Sequence, residues 1–279
     1  MVIPAYDEAP HIAAQIHAVR DALATTGCTF ELIVVDDGSS DGTGANAEEA
    51  GATVVRNKSN RGYGASLKRG IAQARYDWIL IIDADGTYPV EAIPELLTAA
   101  ADSEMVVGAR IGESVEVPLA RRPAKWLLGW LASYLVQKRI PDINSGLRLI
   151  HKSLVDRYGF LLPEGFSFTT TITLAATANG HDVEYVPINY RRRLGDSKIR
   201  PRHAFDFTLL ILRTIVFFNP LRVFLPMGAF LALVGLAKFA YDVALGNLSE
   251  SAVLALLGAL MIWSLGLLAD QNSRMLRRQ

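Results

Sequence analysis

One cysteine, Cys28, occurs in 279 residues, so no intrachain disulfide framework exists and the chain fits a reducing compartment. The five histidines are scattered without metal-ligand spacing, which removes a zinc site. Neither a GxSxG nor a P-loop pattern appears, which argues against a hydrolase elbow or an NTPase. No basic leader precedes the apolar MVIPAY at 1–6, which reads as a first strand rather than a signal peptide. Net charge is absent too, but unevenly so. Residues 1–109 carry 7 Lys+Arg against 16 Asp+Glu, whereas residues 110–202 carry 15 against 8. An acidic half followed by a basic one points to a cation held first and an anionic partner met second; chance distribution over solvated faces is the plainer alternative.

The first half alternates apolar strand-like runs with helical patterns, as βαβ units of a parallel sheet do. Strands are expected at Val2–Ala5, Leu32–Asp36, Thr53–Arg56, Trp78–Ile82 and Met105–Val107. Helices are expected at Ala9–Thr25, Thr43–Ala50, Gly64–Ala74 and Val90–Ala101, and later at Lys125–Lys138 and Phe168–Asn179. The less regular stretch from Arg110 to Arg202 is expected to close a site over the carboxyl ends of the strands.

Beyond Arg202 the composition changes. Val223–Tyr241 carries one charge, Lys238, and Ser251–Ala269 carries none. Each is long enough to cross a hydrocarbon core of about 30 Å as a helix, although buried helices of a large soluble core share that pattern. The connecting residues 242–250 lack Lys and Arg, whereas Arg274, Arg277 and Arg278 follow the second segment. The positive-inside rule then gives a hairpin with both ends cytoplasmic. In residues 202–220, Arg202, Asp206 and Arg213 share one helical face, as in a helix lying in the membrane interface. A third, short spanning segment would instead send the C-terminus across the membrane.

Three stretches carry chemistry. WILIIDADGTYP at 78–89 runs a buried strand into Asp83 and Asp85. Two like charges so close call for something positive, and a hard divalent cation prefers such oxygen ligands. A solvated turn with a helix N-cap is the plainer alternative. VVDDGSSDGT at 34–43 ends a strand on Asp36 and Asp37, placed to accept hydrogen bonds from a nucleobase or ribose, or merely to cap a helix. RNKSNRGYGASLKRGI at 56–71 leads into a helix whose N-terminal N–H groups, with Arg61, suit a diphosphate; an ordinary strand-to-helix loop fits as well.

Taken together with VIPAYDE (2–8), GAR (108–110), DINSGLRLI (142–150) and RRRLGDSK (191–198), these stretches resemble the inverting family-2 glycosyltransferases of the GT-A fold. The closest likeness is to polyprenyl- or dolichyl-phosphate sugar synthases, and it covers nearly the whole of residues 1–200. The resemblance implies an α/β nucleotide-sugar-binding domain with a mixed, mostly parallel sheet (1–200), an interfacial helix (201–220) and two transmembrane helices with a short cytoplasmic tail (221–279). It implies Pro4, Ala5, Tyr6, Glu8, Val35, Asp36, Asp37 and Arg61 around the nucleotide, and Asp83 and Ala84 at sugar and ribose. Asp83, Asp85 and Thr87 would meet Mg²⁺ or Mn²⁺, and Arg110, Arg192 and Lys198 the phosphates. Asp142 would stand where a base stands in relatives, although a phosphate acceptor needs none. The implied partners are a nucleotide sugar, a polyprenyl or dolichyl phosphate and the membrane, with association through the hairpin and no nucleic acid.

Two departures stand out. Many relatives read DADLQ, with the Gln at the metal, where this chain has Thr87. The acceptor-phosphate Arg and Ser of relatives have no clear counterpart, Arg121, Arg122 and Lys125 being the nearest cations. A processive polysaccharide synthase is disfavoured because QxxRW is missing. A glycan or protein acceptor, or a non-catalytic nucleotide-sugar-binding membrane protein, remain the alternatives. Asp85 and Lys198 are both present, which speaks against the non-catalytic one.

Overall fold

The computed structural model describes residues 1–111, 132–134, 136–165, 167–190, 209, 212–214, 216–246 and 249–276. The chain forms two compact units, Met1–Tyr134 with Lys138–Leu210, and Leu135–Gln137 with Ile211–Gln279.

In the first unit, β1 (Val2–Ala5), β2 (Ile33–Asp36), β3 (Thr53–Arg56) and β4 (Trp78–Ile81) alternate with α1 (Ala9–Ala24), α2 (Thr43–Glu49) and α3 (Tyr63–Gln73). Then come α4 (Ile93–Ala99), β5 (Met105–Ala109), β6 (Arg148–His151), α5 (Lys152–Tyr158), α6 (Phe168–Ala178) and β7 (Val183–Pro187). The seven strands make one sheet in the order β3-β2-β1-β4-β6-β5-β7. β6 pairs antiparallel with both β4 and β5, and the remaining pairings are parallel. The sheet is therefore mixed and mostly parallel, as expected. Its inner strands are apolar on both faces because helices cover both: Val2, Ile3, Val34, Val35, Ile79 and Ile81 are all buried.

The helices form from apolar stripes of helical spacing. Ile12, Ile16, Val19 and Leu23 are the buried stripe of α1, and Pro10 stands in its first turn, where a missing N–H costs nothing. α3 buries Leu67 and Ile71 and brings Gly70 so close that a Cβ there would lie 2.5 Å from Val2 and 2.9 Å from Val35.

Sequence expectation and structure part in two places. β6 and β7 did not register as strands. The expected helix Val90–Ala101 is an α-helix only over Ile93–Ala99, with 3₁₀ turns at Val90–Ala92 and Ala100–Asp102. Pro94 has no N–H to donate to Val90, so an α-helix cannot run through from that point. The expected helix Lys125–Lys138 and interfacial helix 201–220 lie for the most part outside the described residues.

The second unit contains α7 (Leu221–Ala244) and α8 (Glu250–Leu276). Both are long and apolar enough to cross a membrane, and little of either is buried within the protein, unlike core helices of a soluble fold. They pack through small residues: a Cβ at Gly228 would strike the Trp263 ring, and one at Gly266 would lie 2.5 Å from Phe224. The Trp263 indole donates to the Leu225 carbonyl (3.1 Å). Near the turn, Asp242 accepts from Lys238 and Ser249.

Candidate active site

The strand order reverses between β1 and β4, because β2 and β3 lie on one side of β1 and β4 begins the other. Such a reversal opens a crevice at the carboxyl ends of the strands. β1 and β4 register only at Val2–Ile81, so Pro4, which has no N–H, lies past that bridge while still pairing with Val35 of β2. The loops after β1, β2, β4 and β5 all leave at this edge. β6 runs the other way, so the residues entering it, Asp142 to Leu147, arrive at the same edge.

Two loops are tied together at the first wall. Glu8 N–H donates to the Thr43 hydroxyl (2.8 Å), Ala9 N–H to Asp41 (2.9 Å) and Ser40 N–H to Asp7 (2.9 Å). Asp7 takes a positive φ of 52° to do so. Tyr6 is exposed beside this knot, and Ala5 and Val35 are buried beneath it. Asp36 is buried at the end of β2 and accepts from Ser39 N–H (2.9 Å).

Asp37 and Arg61 belong to one braced loop. The buried Asp37 carboxylate accepts from Asn57 (2.6 Å), Arg61 N–H (3.0 Å) and Gly62 N–H (2.8 Å), so it braces the loop before α3. Two N–H groups of the first turn of α3 are also taken. Gly64 donates to the Gly165 carbonyl (3.2 Å) and Ala65 to that of Glu164 (2.8 Å), while Arg61 pairs at 3.9 Å with the exposed Glu164. At this helix start, the N–H groups of Arg61, Gly62, Gly64 and Ala65 bond Asp37 and the segment before α6, the arrangement of an ordinary strand-to-helix loop.

The centre of the crevice is the turn after β4. Tyr63 of α3 donates its hydroxyl to Asp83 Oδ1 (3.0 Å). Burial, reinforced by the Asp83 charge, pushes the Tyr63 hydroxyl well above its ordinary pKa, so it stays a donor. Asp85 Oδ1 accepts both the N–H (3.1 Å) and the hydroxyl (2.6 Å) of the buried Thr87. Thr87 thus fixes the Asp85 rotamer and spends its proton on that carboxylate. Gly86 has φ 69°, which suits the tight turn between them.

The far wall is an ion pair. Asp142 Oδ2 accepts from Arg110 N–H (3.0 Å) and Nε (2.7 Å), and Oδ1 from Arg110 Nη2 (2.9 Å) and Asn144 N–H (3.1 Å). Burial pushes the Asp142 carboxyl up, but the Arg110 bonds and charge outweigh it and hold the pKa below the usual carboxylate range. The Arg110 guanidinium also lies 5.3 Å from the Tyr190 ring centroid, and Tyr190 packs edge-on against Tyr88 at 5.0 Å. Arg192 and Lys198, like Arg121, Arg122 and Lys125, lie outside the described residues.

The structure thus brings Asp36, Asp83, Ala84, Asp85, Arg110 and Asp142 to one edge of the sheet. Sequence reading did not single out Tyr63, Tyr88, Tyr190, Gly146 or Arg148. The aromatics flanking DADG and RRR, Tyr88 and Tyr190, were the available signal for two of them.

Among the described residues no three His, Cys, Asp or Glu side chains form a metal cluster. Two carboxylates on one turn nevertheless fit a hard cation of the Mg²⁺ or Mn²⁺ kind, which commonly takes one or two protein carboxylates and completes its shell with phosphate and water.

Comparison with known proteins agrees with this geometry. Among solved structures, glucosyl-3-phosphoglycerate synthase from Mycobacterium tuberculosis, in complex with Mn²⁺, UDP and phosphoglyceric acid, shares the fold with a TM-score of 0.61 at 21% identity, covering 77% of each chain. Mannosyl-3-phosphoglycerate synthase from Rubrobacter xylanophilus does so at 0.57 and 19%, covering 77% of this chain and 71% of that one. The fold is therefore GT-A. An undecaprenyl-phosphate mannosyltransferase of Micrococcus luteus is 27% identical over 71% of this chain and 86% of its own length. A dolichyl-phosphate hexose transferase of Haloferax volcanii is 27% identical over 68% and 80%. Residues 219–275 match the GtrB C-terminal hairpin and residues 1–159 the family 2 glycosyl transferase model, so the chain belongs to glycosyl transferase family 2.

Proposed function

We propose that this chain is a membrane-anchored inverting glycosyltransferase. It moves a hexose-type sugar from a UDP- or GDP-sugar to a polyprenyl or dolichyl phosphate. One observation carries the reading: Asp83 and Asp85 stand where the strand order reverses, in a chain that also ends in an apolar helical hairpin. The names of the Micrococcus and Haloferax relatives support a lipid phosphate as acceptor.

Each wall then has a task. Pro4, Ala5, Tyr6 and Glu8 with Val35 and Asp36 flank the nucleotide, and Asp37 and Arg61 support that wall by holding the loop before α3. Asp83 and Ala84 meet ribose and sugar. Asp83 and Asp85 would hold Mg²⁺ or Mn²⁺, with Thr87 locking Asp85. A divalent cation bound there would neutralise the donor diphosphate and stabilise it as it leaves. Arg110, Arg192 and Lys198 supply positive charge to the phosphates.

In the reaction, an oxygen of the lipid phosphate attacks the anomeric carbon. As that C–O bond forms, the bond from the anomeric carbon to the donor diphosphate breaks, and its electron pair leaves on the nucleoside diphosphate. A single displacement inverts the anomeric centre. A phosphate monoester has a second pKa of about 6 and is largely dianionic at neutral pH, so it attacks without a base. Asp142 fits that chemistry as a positioning residue: its two oxygens accept four bonds from Arg110 and Asn144, and its carboxyl stays ionised. The catalytic domain and both chain ends face the cytoplasm in this reading, and the hairpin offers the surface for any self-association.

The test incubates membranes containing the protein with a panel of radiolabelled nucleotide sugars and extracts the lipid fraction. One sugar should label the lipid with wild type and not with Asp85→Asn. Label appearing only in protein or soluble glycan would replace the lipid acceptor.

A further inference from the structure

Among the described residues Arg148 is the largest fully buried side chain, and none of their ion pairs includes it. Burial alone pushes its pKa down. Enclosing an unpaired guanidinium is costly, and such groups persist where their hydrogen bonds fix something the protein needs. Besides a weak 4.0 Å contact from Nη1 to Met105 Sδ, its donors converge on the Ser145 turn and α6. Nε and Nη2 donate to the Ser145 carbonyl (3.0 and 2.5 Å), and Nη1 donates to the Thr169 carbonyl (3.1 Å) and the Thr173 hydroxyl (3.0 Å) of α6.

The turn held in this way is the one pressed against the acidic centre. Ser145 donates its hydroxyl to the Gly108 carbonyl (2.5 Å), and Gly146 N–H donates to the Tyr88 hydroxyl (2.6 Å). Asn144 accepts from Thr169 (2.8 Å), which ties the same turn to α6 a second time. A Cβ on Gly146 would sit 2.7 to 2.9 Å from the Oδ2, Oδ1 and Cγ atoms of Asp83, inside contact distance. Gly146 is therefore glycine because the turn backs directly onto the Asp83 carboxylate, while Tyr63 holds that carboxylate from α3.

We propose that Arg148 is a positioning residue: through Ser145 and Gly146 it fixes Asp83 in the orientation in which, with Asp85, it binds a divalent cation. The inference rests on the proposed function for the identity of that ligand, but not for the contact chain itself. A lysine at 148 keeps the charge and cannot bridge Ser145 to α6 with a planar fork, so it preserves the role only in part.

The experiment titrates the purified full-length protein in detergent with Mn²⁺ alone and follows free Mn²⁺ by electron paramagnetic resonance. Wild type, Arg148→Lys, Arg148→Met, Gly146→Ala and Asp83→Asn are compared, with circular dichroism melts reporting the fold. Gly146→Ala keeps Arg148 in place and disturbs only the last contact, so it retains the test if Arg148→Met fails to fold. Expected are Mn²⁺ affinities lowered about tenfold or more in Gly146→Ala and Arg148→Met, approaching Asp83→Asn, with Arg148→Lys intermediate. Folded Gly146→Ala and Arg148→Lys with wild-type affinity would overturn the proposal, as would a wild type that binds no Mn²⁺. Mn²⁺ affinities that follow this order in a protein that labels no lipid would sink the proposed function and leave the positioning role standing.

Discussion

At the scale of single residues, Asp142 decides whether the site works by a base or by held charge. Removing one member of a buried hydrogen-bonded ion pair costs about 3–5 kcal/mol, because the other charge is left buried and unpaired. Asp142→Asn should therefore destabilise the fold by about that much at pH 7, measured by denaturant unfolding. The folded-state pKa of Asp142 is depressed, so its stabilisation is present above the unfolded carboxylate range near about 4 and fades as the pH falls through the lower folded value. The gap between wild type and Asp142→Asn should hold from pH 7 to 5 and close below about 4. A gap that closed near neutrality would contradict the ion pair. In a pH–rate profile, an acid limb near about 6 should persist in Asp142→Asn, since it reports the acceptor phosphate. A limb that vanished with the mutation would make Asp142 the base. Asp85→Asn, or removal of divalent cation by a chelator, should abolish transfer in a protein that still melts normally; full activity after chelation would remove the metal.

The secondary-structure elements show where local pattern sufficed. β1 to β4 and their helices match the sequence expectation within about a residue, because βαβ alternation writes two periodicities in turn. β6 escaped because its apolar run is only Leu149–Ile150, between Arg148 and His151, and because a parallel-sheet expectation has no place for an antiparallel insert between β4 and β5. The start of α3 reads two ways in the sequence for a different reason: glycines and N–H groups at a helix start look alike whether they meet a phosphate or the protein's own carbonyls. Only the fold reveals that Glu164 and Gly165 fill the place. Asp83 and Asp85, by contrast, were legible from a strand that ends on two carboxylates, whereas Tyr63 and Gly146 reach them from elements distant in sequence. The close seat of α3 on the sheet gives a direct check. Gly70→Ala would drive a methyl into Val2 and Val35, and overpacking of this kind costs about 1–3 kcal/mol. A lowered melting temperature with an unchanged circular dichroism spectrum is expected; an unchanged melt would mean that α3 sits further from β1 and β2.

For the whole molecule, the uneven charge and the uneven hydropathy fit the proposed pairing of a nucleotide sugar with a lipid phosphate acceptor. The connection between α7 and α8 lacks Lys and Arg and Arg274 stands near the end of α8, so by the positive-inside rule we propose that both chain ends lie on the cytoplasmic side. A tag after Gln279 should be protease-accessible only in inside-out vesicles; accessibility confined to right-side-out vesicles would call for a third spanning segment. In the proposed reaction the sugar alone crosses to the lipid phosphate. It is tested most directly with a nucleotide sugar labelled with ³H in the sugar and ³²P in the sugar-linked phosphate, given to purified protein with a polyprenyl phosphate. The expected result is that ³H enters the lipid while ³²P remains in the nucleoside diphosphate; ³²P travelling into the lipid with the sugar would contradict a direct displacement at the anomeric carbon.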